Sequence, residues 1–421
     1  MADLIAFPCI RPRADIVQEV AALPYDVYNL EEARAEIKKH PHSFLRIDIA
    51  ETNFSRSVPI NDSCIYDEAR RLLDLAIADG TYIIDEEPRY YLYRLTTKEG
   101  REQTGVVGCA SIDDYLSDVI KKHENTNPFK EIDRIRHIDT CSAHTGLIFL
   151  AFRSDGSLES VMNKVTAEQP LYDFTTDDGV CHTIWRVNTA QDCAFIRQVF
   201  ESTPALYIAD GHHRTKSAVE AGLLRRKAAQ AAGQAEGEAS LRPSLPSDHF
   251  LSIAFPSDQL VVLDYNRVVA DLNGLSRGEF FERIRECFII AEPQYNPVRP
   301  AEKGVFGMYL DGMWHKLTIK DEYRSSDPVA GLDASLLQDR LLAPILGIDD
   351  PRTNDRIDFI GGIRGLNELK RRVDKDMTVA FALCPTSLEE LFTVADKGKL
   401  MPPKSTWFEP KPRSGIFIHR I

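Results

Sequence analysis

The sequence predicts a mixed α/β protein, α+β in character, built from two or three domains. Three observations carry this expectation. The chain has 421 residues, too many for one domain at roughly 100–200 residues each. Hydrophobic residues make up 43% and charged residues 27%, the balance of a soluble globular chain and not of a disordered one. Short apolar runs of strand length alternate with stretches of helical spacing, and no internal repeat organises them.

In a first segment, 1–102, Asn29 and Asn61 each precede a helix-forming run with acidic residues and are candidate caps. Tyr66 to Ala78 has apolar residues at helical spacing, and Asp79-Gly80 ends it with turn chemistry. Arg89 to Thr96 is aromatic and reads as a strand. In a second segment, 103–256, strands are expected over Thr104–Ala110, Thr145–Phe152, Thr183–Val187, Ala205–Ala209 and Phe250–Phe255. A helix is expected over Ala190–Glu201, and another from His212 or His213. Leu223 to Asp248, rich in Ala, Gln, Gly, Glu and Ser, reads as helix running into a solvated loop. In a third segment, 257–421, Leu260 to Tyr265 is strand-like and Arg277 to Cys287 helical. Gly304–Leu310 and Met313–Lys320 form a hairpin turning at Asp311-Gly312, and Asp333 to Leu346 is helical. The end, Met401 to Ile421, has no regular period.

A net charge of −13 repels phosphate backbones in bulk, so no nucleic-acid partner is expected without a locally basic face. Eight cysteines include no C-x-x-C pair, which argues against zinc ribbons and thioredoxin-type motifs. In so long a chain they read as reduced, mostly buried thiols. No stretch approaches the roughly 20 apolar residues of a membrane span, and the N-terminus lacks a signal-peptide core. A soluble, cytoplasmic protein with no membrane partner is expected. A homodimer is left open.

The most informative segment is ALYIADGHHRTKSAVEAG, residues 205–222. An apolar strand ends in Asp210-Gly211-His212-His213-Arg214, and a helix begins at once. Backbone N–H groups at a helix start have no internal partner, and the helix dipole is positive there. Such a junction is a ready anion site. Gly211 lets the backbone approach a ligand closely. His212, His213 and Arg214 add donors, and an arginine grips phosphate with two nitrogens. Thr215 and Lys216 fall in the first turns. Asp210 can hold Mg²⁺ or orient a histidine. The box is not a P-loop, because the G-x-x-x-x-G-K spacing is missing. A capped helix with surface histidines is the plainer reading.

The box resembles the Asp-Gly-His-His-Arg motif of the ParB/sulfiredoxin-like superfamily, in particular of the archaeal free-serine kinases within it. The resemblance implies a ParB/sulfiredoxin-like core with flanking α+β segments, its nucleotide phosphates bound on this turn within 103–256. The wider chain resembles the bacterial and archaeal domain-of-unknown-function family ten-fifteen. The hallmarks stand here as PYDVY (Pro24–Tyr28), HPHSFLRID (His40–Asp48), KKHENT (Lys121–Thr126), DGHHR and MPPKSTWFEPKPRSG (Met401–Gly415).

ParB-like kinases carry a glutamate after an early strand, upstream of the box, that acts as the base. Glu124, after a strand expected over Tyr115–Ile120, stands in that order. A kinase needs such a carboxylate to accept the hydroxyl proton as phosphate transfers. His123 joins it as a substrate-binding candidate. Lys121, Lys122 and Arg134 could neutralise phosphate charge, or the stretch is a solvated charged loop. Asp26 could bind a substrate amine or a metal, or mark a simple turn. Arg46 could bind a carboxylate. His40 and His42 would share one face of a strand, without an obvious third metal ligand nearby. Ser142, His144 and Thr145 offer supporting donors. The C-terminal stretch, with Lys404, Ser405, Thr406 and Lys411, either closes over a phosphorylated ligand or docks through Trp407 and Phe408.

The resemblance implies a small-molecule kinase that uses ATP or ADP with Mg²⁺ held by Asp210, and takes free L-serine to O-phospho-L-serine. Glu124, Asp210 and His213 would be catalytic. The acceptor, an amino acid, rests on the resemblance alone. A nucleotide-binding regulator without metabolite kinase activity, or a metal-dependent phosphohydrolase, are the alternatives. An H-E-x-x-H helix would favour the last, and none is present.

Overall fold

Uninterrupted apolar runs organise the first of two units into which the chain divides. The structure, a computed structural model, describes residues 1–55, 57–59, 61–126, 128–236 and 244–421. The first unit comprises 1–122, 126–260 and 410–421; the second comprises 123–125 and 261–409.

The strands of the first unit are β1 (Leu4–Ile5), β2 (Phe7–Pro12), β3 (Tyr82–Arg89), β4 (Tyr91–Thr96), β5 (Glu102–Ser111), β6 (Ile120–Lys121), β7 (Ala143–His144), β8 (Ile148–Phe152), β9 (Tyr172–Thr175), β10 (Cys181–Arg186), β11 (Leu206–Asp210) and β12 (His249–Pro256). Nine of them form one sheet in the order β6-β11-β8-β12-β5-β4-β10-β9, with β1 also on β5. Only β11 with β6 and β12 with β8 run parallel. All five residues of β8 are buried, which is why its sequence is continuously apolar and not alternating. Gly105 and Gly108 lie where a Cβ would strike Ile253 and the Ile5 carbonyl, so β5 can lie close to its neighbours.

Helices of this unit are α1 (Val17–Val20), α2 (Leu30–Lys39), α3 (Leu45–Asp48), α4 (Ser63–Ala78), α5 (Ile112–Leu116), α6 (Pro128–Cys141), α7 (Glu159–Thr166), α8 (Ala190–Ser202) and α9 (His212–Glu236). Ile196 and Phe200 of α8 and Val219 of α9 are fully buried with Leu150 and Ile208 in the sheet's core. Phe44, Leu45 and Leu73 form another core with Ile10 and Ile418. Asn29 caps α2 in a reciprocal box with Glu32. The cap of α4 is Asp62, not Asn61; Asn61 takes a positive φ of 70° one residue earlier. The stretch Leu223–Asp248 is helical to Glu236; residues 237–243 of it lie outside the described residues.

Two expectations fail here for local reasons. Tyr115–Ile120 is not a strand. The Ser111 side chain accepts from Asp113 N and starts α5, leaving only Ile120–Lys121 extended. His40 and His42 do not share a strand face, because His40 is the C-cap residue of α2 and His42 lies in the following turn.

The second unit holds β13 (Val262–Leu263), β14 (Tyr265–Val269), β15 (Phe288–Ile290), β16 (Val305–Leu310), β17 (Met313–Ile319), β18 (Ile357–Gly361), β19 (Val379–Ala382) and β20 (Trp407–Phe408). Six form an antiparallel sheet, β15-β17-β16-β19-β14-β18. The hairpin of β16 and β17 turns at Asp311 and Gly312, both at positive φ as a two-residue turn demands. Its helices are α10 (Arg277–Cys287), α11 (Asp333–Leu337), α12 (Leu366–Lys375) and α13 (Leu388–Asp396). The helix expected to Leu346 is α11 followed by a wide turn, Gln338–Leu342. The C-terminal stretch is docked. Trp407 and Phe408 pair with Leu263 and Val262 in the second unit, and Lys411, Arg413 and Ser414 are buried in the first.

None of the eight cysteines forms a disulfide, but only Cys9, Cys109 and Cys141 are buried, fewer than expected. Among the described residues no helix is long and apolar enough to cross a membrane.

Candidate functional site

At the end of β11 the ladder with β8 changes register between Ile208 and Asp210. Such an irregularity re-aims the side chain at the strand's end. Gly211 follows at φ 93° and turns the chain into α9. A Cβ on Gly211 would lie 3.0 Å from the Arg214 guanidinium, so glycine is needed twice over, for its backbone and for space.

Both Asp210 oxygens accept from cations. Arg214 Nη2 donates to one at 2.5 Å, and Lys411 Nζ donates to the other. Arg214 Nη1 donates to the Leu147 carbonyl at 2.5 Å, while its Nε is buried without a hydrogen-bond partner. Burial disfavours the Asp210 charge, but Lys411 and Arg214 outweigh it and hold the carboxyl far below the usual range. Burial likewise opposes the charge on Arg214. Asp26 first, then Asp210, sustain it and raise its pKa.

A cavity of about 30 Å³ is lined by Arg214, Tyr25, Asp48, Arg134, His144 and Thr145. Arg134 lies 4.2 Å over the Tyr25 ring and donates to Asp133 at 2.8 Å and to the Asp48 carbonyl at 3.0 Å. It is therefore a buried, committed cation and not a surface neutraliser of phosphate charge. Lys122 spends its charge over the Tyr115 ring, 4.5 Å away, and beside Asp118.

The structure adds Asp26 to the turn of Asp210, Gly211 and Arg214, where its charge acts on Arg214. His212 is buried and His213 half-buried in the first turn of α9. Thr215 is fully buried, and its hydroxyl donates to the Gly211 carbonyl at 3.0 Å. Lys216 pairs with Glu220 at 2.6 Å. The side chains of Thr215 and Lys216 thus stabilise the helix start. Arg46 is not gathered in: it donates to the Pro41 carbonyl at 3.4 Å and acts on Glu68. Glu124, His123, Lys404 and Ser405 belong to the second unit. There the His123 carbonyl accepts from Met401 N at 2.8 Å, and His123 Nε2 lies 3.4 Å from Thr406 Oγ1. Ser405 donates to the Pro402 carbonyl at 2.7 Å, and the Lys404 ammonium lies 5.7 Å from the Tyr265 ring centre.

Lys411 is the residue that sequence reasoning left without a role in the box. The signal was present: a lysine held between Pro410 and Pro412 has a stiff backbone and points one way. Its partner, however, is 201 positions away.

The arrangement can hold an anion. The residues fit a phosphate group through Gly211, the start of α9 and the donors of the turn. Each Asp210 oxygen serves one cation, Arg214 or Lys411, and a carboxylate keeps a further lone pair on each oxygen.

A family described as a protein of unknown function (DUF1015) matches residues 4–335. Among curated proteins nothing matches the chain. Among solved structures the chain is similar to a mutant free serine kinase in complex with ADP, at 14% identity and a TM-score of 0.35, with 72% of this chain and 87% of that one covered. It is also similar to C-terminally truncated SbnI from Staphylococcus aureus, at 11% identity and a TM-score of 0.38, covering 73% and 84%.

Proposed function

The chain belongs to the DUF1015 family, and on that premise we propose that it is a nucleotide-dependent phosphotransferase acting on the hydroxyl of a small molecule. The first turn of α9 carries the reading. It holds His212, His213 and Arg214 and no acidic residue. Hydrogen-bond donors at the positive pole of a helix suit an anion. Among the described residues every other α-helix except α4 carries an acid in that turn.

In the proposed mechanism residues 103–256 contain the nucleotide-binding core. A bound nucleoside phosphate, ATP or ADP, supplies the phosphoryl group. The Gly211 backbone admits its oxygens to the helix start, and Arg214 and His213 donate to them. Asp210 holds Arg214 and Lys411 in place, so that the cations are positioned before the ligand arrives. Glu124 is the proposed proton acceptor for the substrate hydroxyl. Free L-serine is the proposed acceptor, on the likeness of the Asp210–Arg214 box to that of free-serine kinases. Divalent Mg²⁺ would bind with the nucleotide phosphates, and Asp210 is its proposed protein ligand.

The test is incubation of the full chain with Mg²⁺, ATP or ADP and a panel of small hydroxyl compounds including L-serine, with products read by mass spectrometry. Phosphoserine from the wild type, lost in His213→Ala and Glu124→Gln, is the expected result. Loss in His213→Ala alone would keep the kinase and remove Glu124 as base. Nucleotide binding that depends on His213, without any product, would favour a regulator. Absence of nucleotide binding would overturn the reading of the turn.

A further inference from the structure

The first unit carries a second cluster of ligand-type side chains. Glu36 and His40 lie one helical turn apart at the end of α2, and Asp177 lies on the turn between β9 and β10. His40 Nε2 is 3.3 Å from Asp177 Oδ2 and 3.8 Å from Glu36 Oε1. The three donor atoms all lie within 4.8 Å of one another. A tetrahedral metal with bonds of about 2.0–2.1 Å sets its ligand atoms about 3.3 Å apart. The His40–Asp177 spacing has that value, and the His40–Glu36 spacing is wider at 3.8 Å.

We propose that Glu36, His40 and Asp177 form a binding site for a divalent first-row transition metal of the Zn²⁺, Co²⁺ or Ni²⁺ class.

The backbone fixes the donors in advance. Glu36 and His40 stand at i and i+4, the helical spacing that puts two ligands on one face. The capping box of Asn29 and Glu32 secures the start of that helix. Asp177 is presented by a pinned turn: Thr176 Oγ1 donates to Asp178 at 2.6 Å, Gly179 N donates to the Thr176 carbonyl at 2.8 Å, and Arg413 donates to both Thr176 and Asp178. The Asp177 carboxylate itself takes no part in closing that turn. Carbonyls at the end of a helix add partial negative charge, which favours a cation. Among the described residues Lys39 competes for Glu36 at 3.5 Å, an exposed pair of little worth. One imidazole with two carboxylates gives the borderline donor set such metals accept.

The cluster lines a cavity of about 120 Å³ whose other walls include Arg413, Tyr28 and Leu23. Coordination positions not filled by protein would face that cavity.

The test uses full-length protein stripped of metal with a chelator and titrated with Co²⁺, followed by calorimetry and visible absorption. One equivalent is expected to bind with a tetrahedral spectrum. His40→Ala and Asp177→Asn should each weaken binding by about tenfold or more, since even supporting residues around a metal cost that much. Both positions lie at the surface, and circular dichroism verifies that the variants fold. A wild type that binds none of Co²⁺, Zn²⁺ or Ni²⁺ overturns the proposal. So does binding that persists unchanged in both variants.

Discussion

The Lys411 ammonium donates to the Asp210 carboxylate, joining a proline-flanked segment near the C-terminus to the strand end that opens α9. The same carboxylate holds Arg214. One part-buried anion thus positions a part-buried arginine and a buried lysine, and removing it should cost more than removing a surface pair. Asp210→Asn is expected to lose about 3–5 kcal/mol of stability in urea unfolding of the first unit. Adding Lys411→Met to that variant should recover part of the loss, because one uncompensated charge goes with it. Additive losses would show that the two residues are not coupled.

Gly211→Ala tests the turn itself. Alanine at φ 93° costs about 1–3 kcal/mol in strain, and its methyl meets the Arg214 guanidinium. Arg214 is pinned at both Nη atoms and cannot simply swing aside. Nucleotide affinity, measured by calorimetry, should fall more than stability does. A variant with lowered stability and intact affinity would detach the turn from binding.

Gly415 closes the Met401–Gly415 stretch at φ 83°, and a Cβ there would lie 2.5 Å from Phe44. Phe44 belongs to a packed core, and the Gly415 carbonyl accepts from Tyr82 Oη at 2.8 Å. Overpacking and strain act together, so Gly415→Ala should destabilise by several kcal/mol, about 2–5. Thermal unfolding followed by near-ultraviolet dichroism reads the loss; an unchanged midpoint would contradict the packing described.

Buried histidines give the first unit a defined acid response, burial lowering His137 and His144 as well as His182 and His419. Burial, helped by Arg413, lowers His182 to about 3, and burial lowers His419 to about 4. Unfolded, both titrate near 6.5, so the unfolded chain binds more protons below that pH. Their contribution is complete above about pH 6.5 and is lost as pH falls toward the folded values. In the second unit Asp333 acts in the opposite sense. Burial pushes it up to about 6, so its charging penalises the fold as pH rises from about 4 to 6. Urea unfolding at about pH 7 and about pH 5 should therefore show the first unit weakened by acid. The double variant His182→Gln, His419→Gln should flatten that slope; an unaltered slope would assign it elsewhere.

Elements whose cause is local were legible in the sequence. The helix α4, with its end at Asp79 and Gly80, follows from apolar spacing and turn chemistry. So does α10, bounded by Ser276 and Cys287, and the β16–β17 hairpin at Asp311-Gly312. Where two local signals compete, as at Ser111 to Ile120, the cap won over the apolar run, because a cap satisfies helix N–H groups that a short edge strand would leave open.

The sequence by itself determined the Asp210–Arg214 box, its strand–turn–helix setting and the need for glycine at 211, since each depends on neighbours a few residues away. Only the tertiary structure decided which charges the box contains. Lys411, Asp26 and the Leu147 carbonyl reach Arg214 and Asp210 through sheet pairing and chain docking over long separations. The same holds for Glu36, His40 and Asp177. The helix supplies two donors at a readable spacing, and the third arrives 137 residues later on a turn that Arg413 holds. Periodicity encodes which face of an element is buried, but not which other element that face will meet. That partner is fixed by the burial of the whole core, a property of no single stretch of chain.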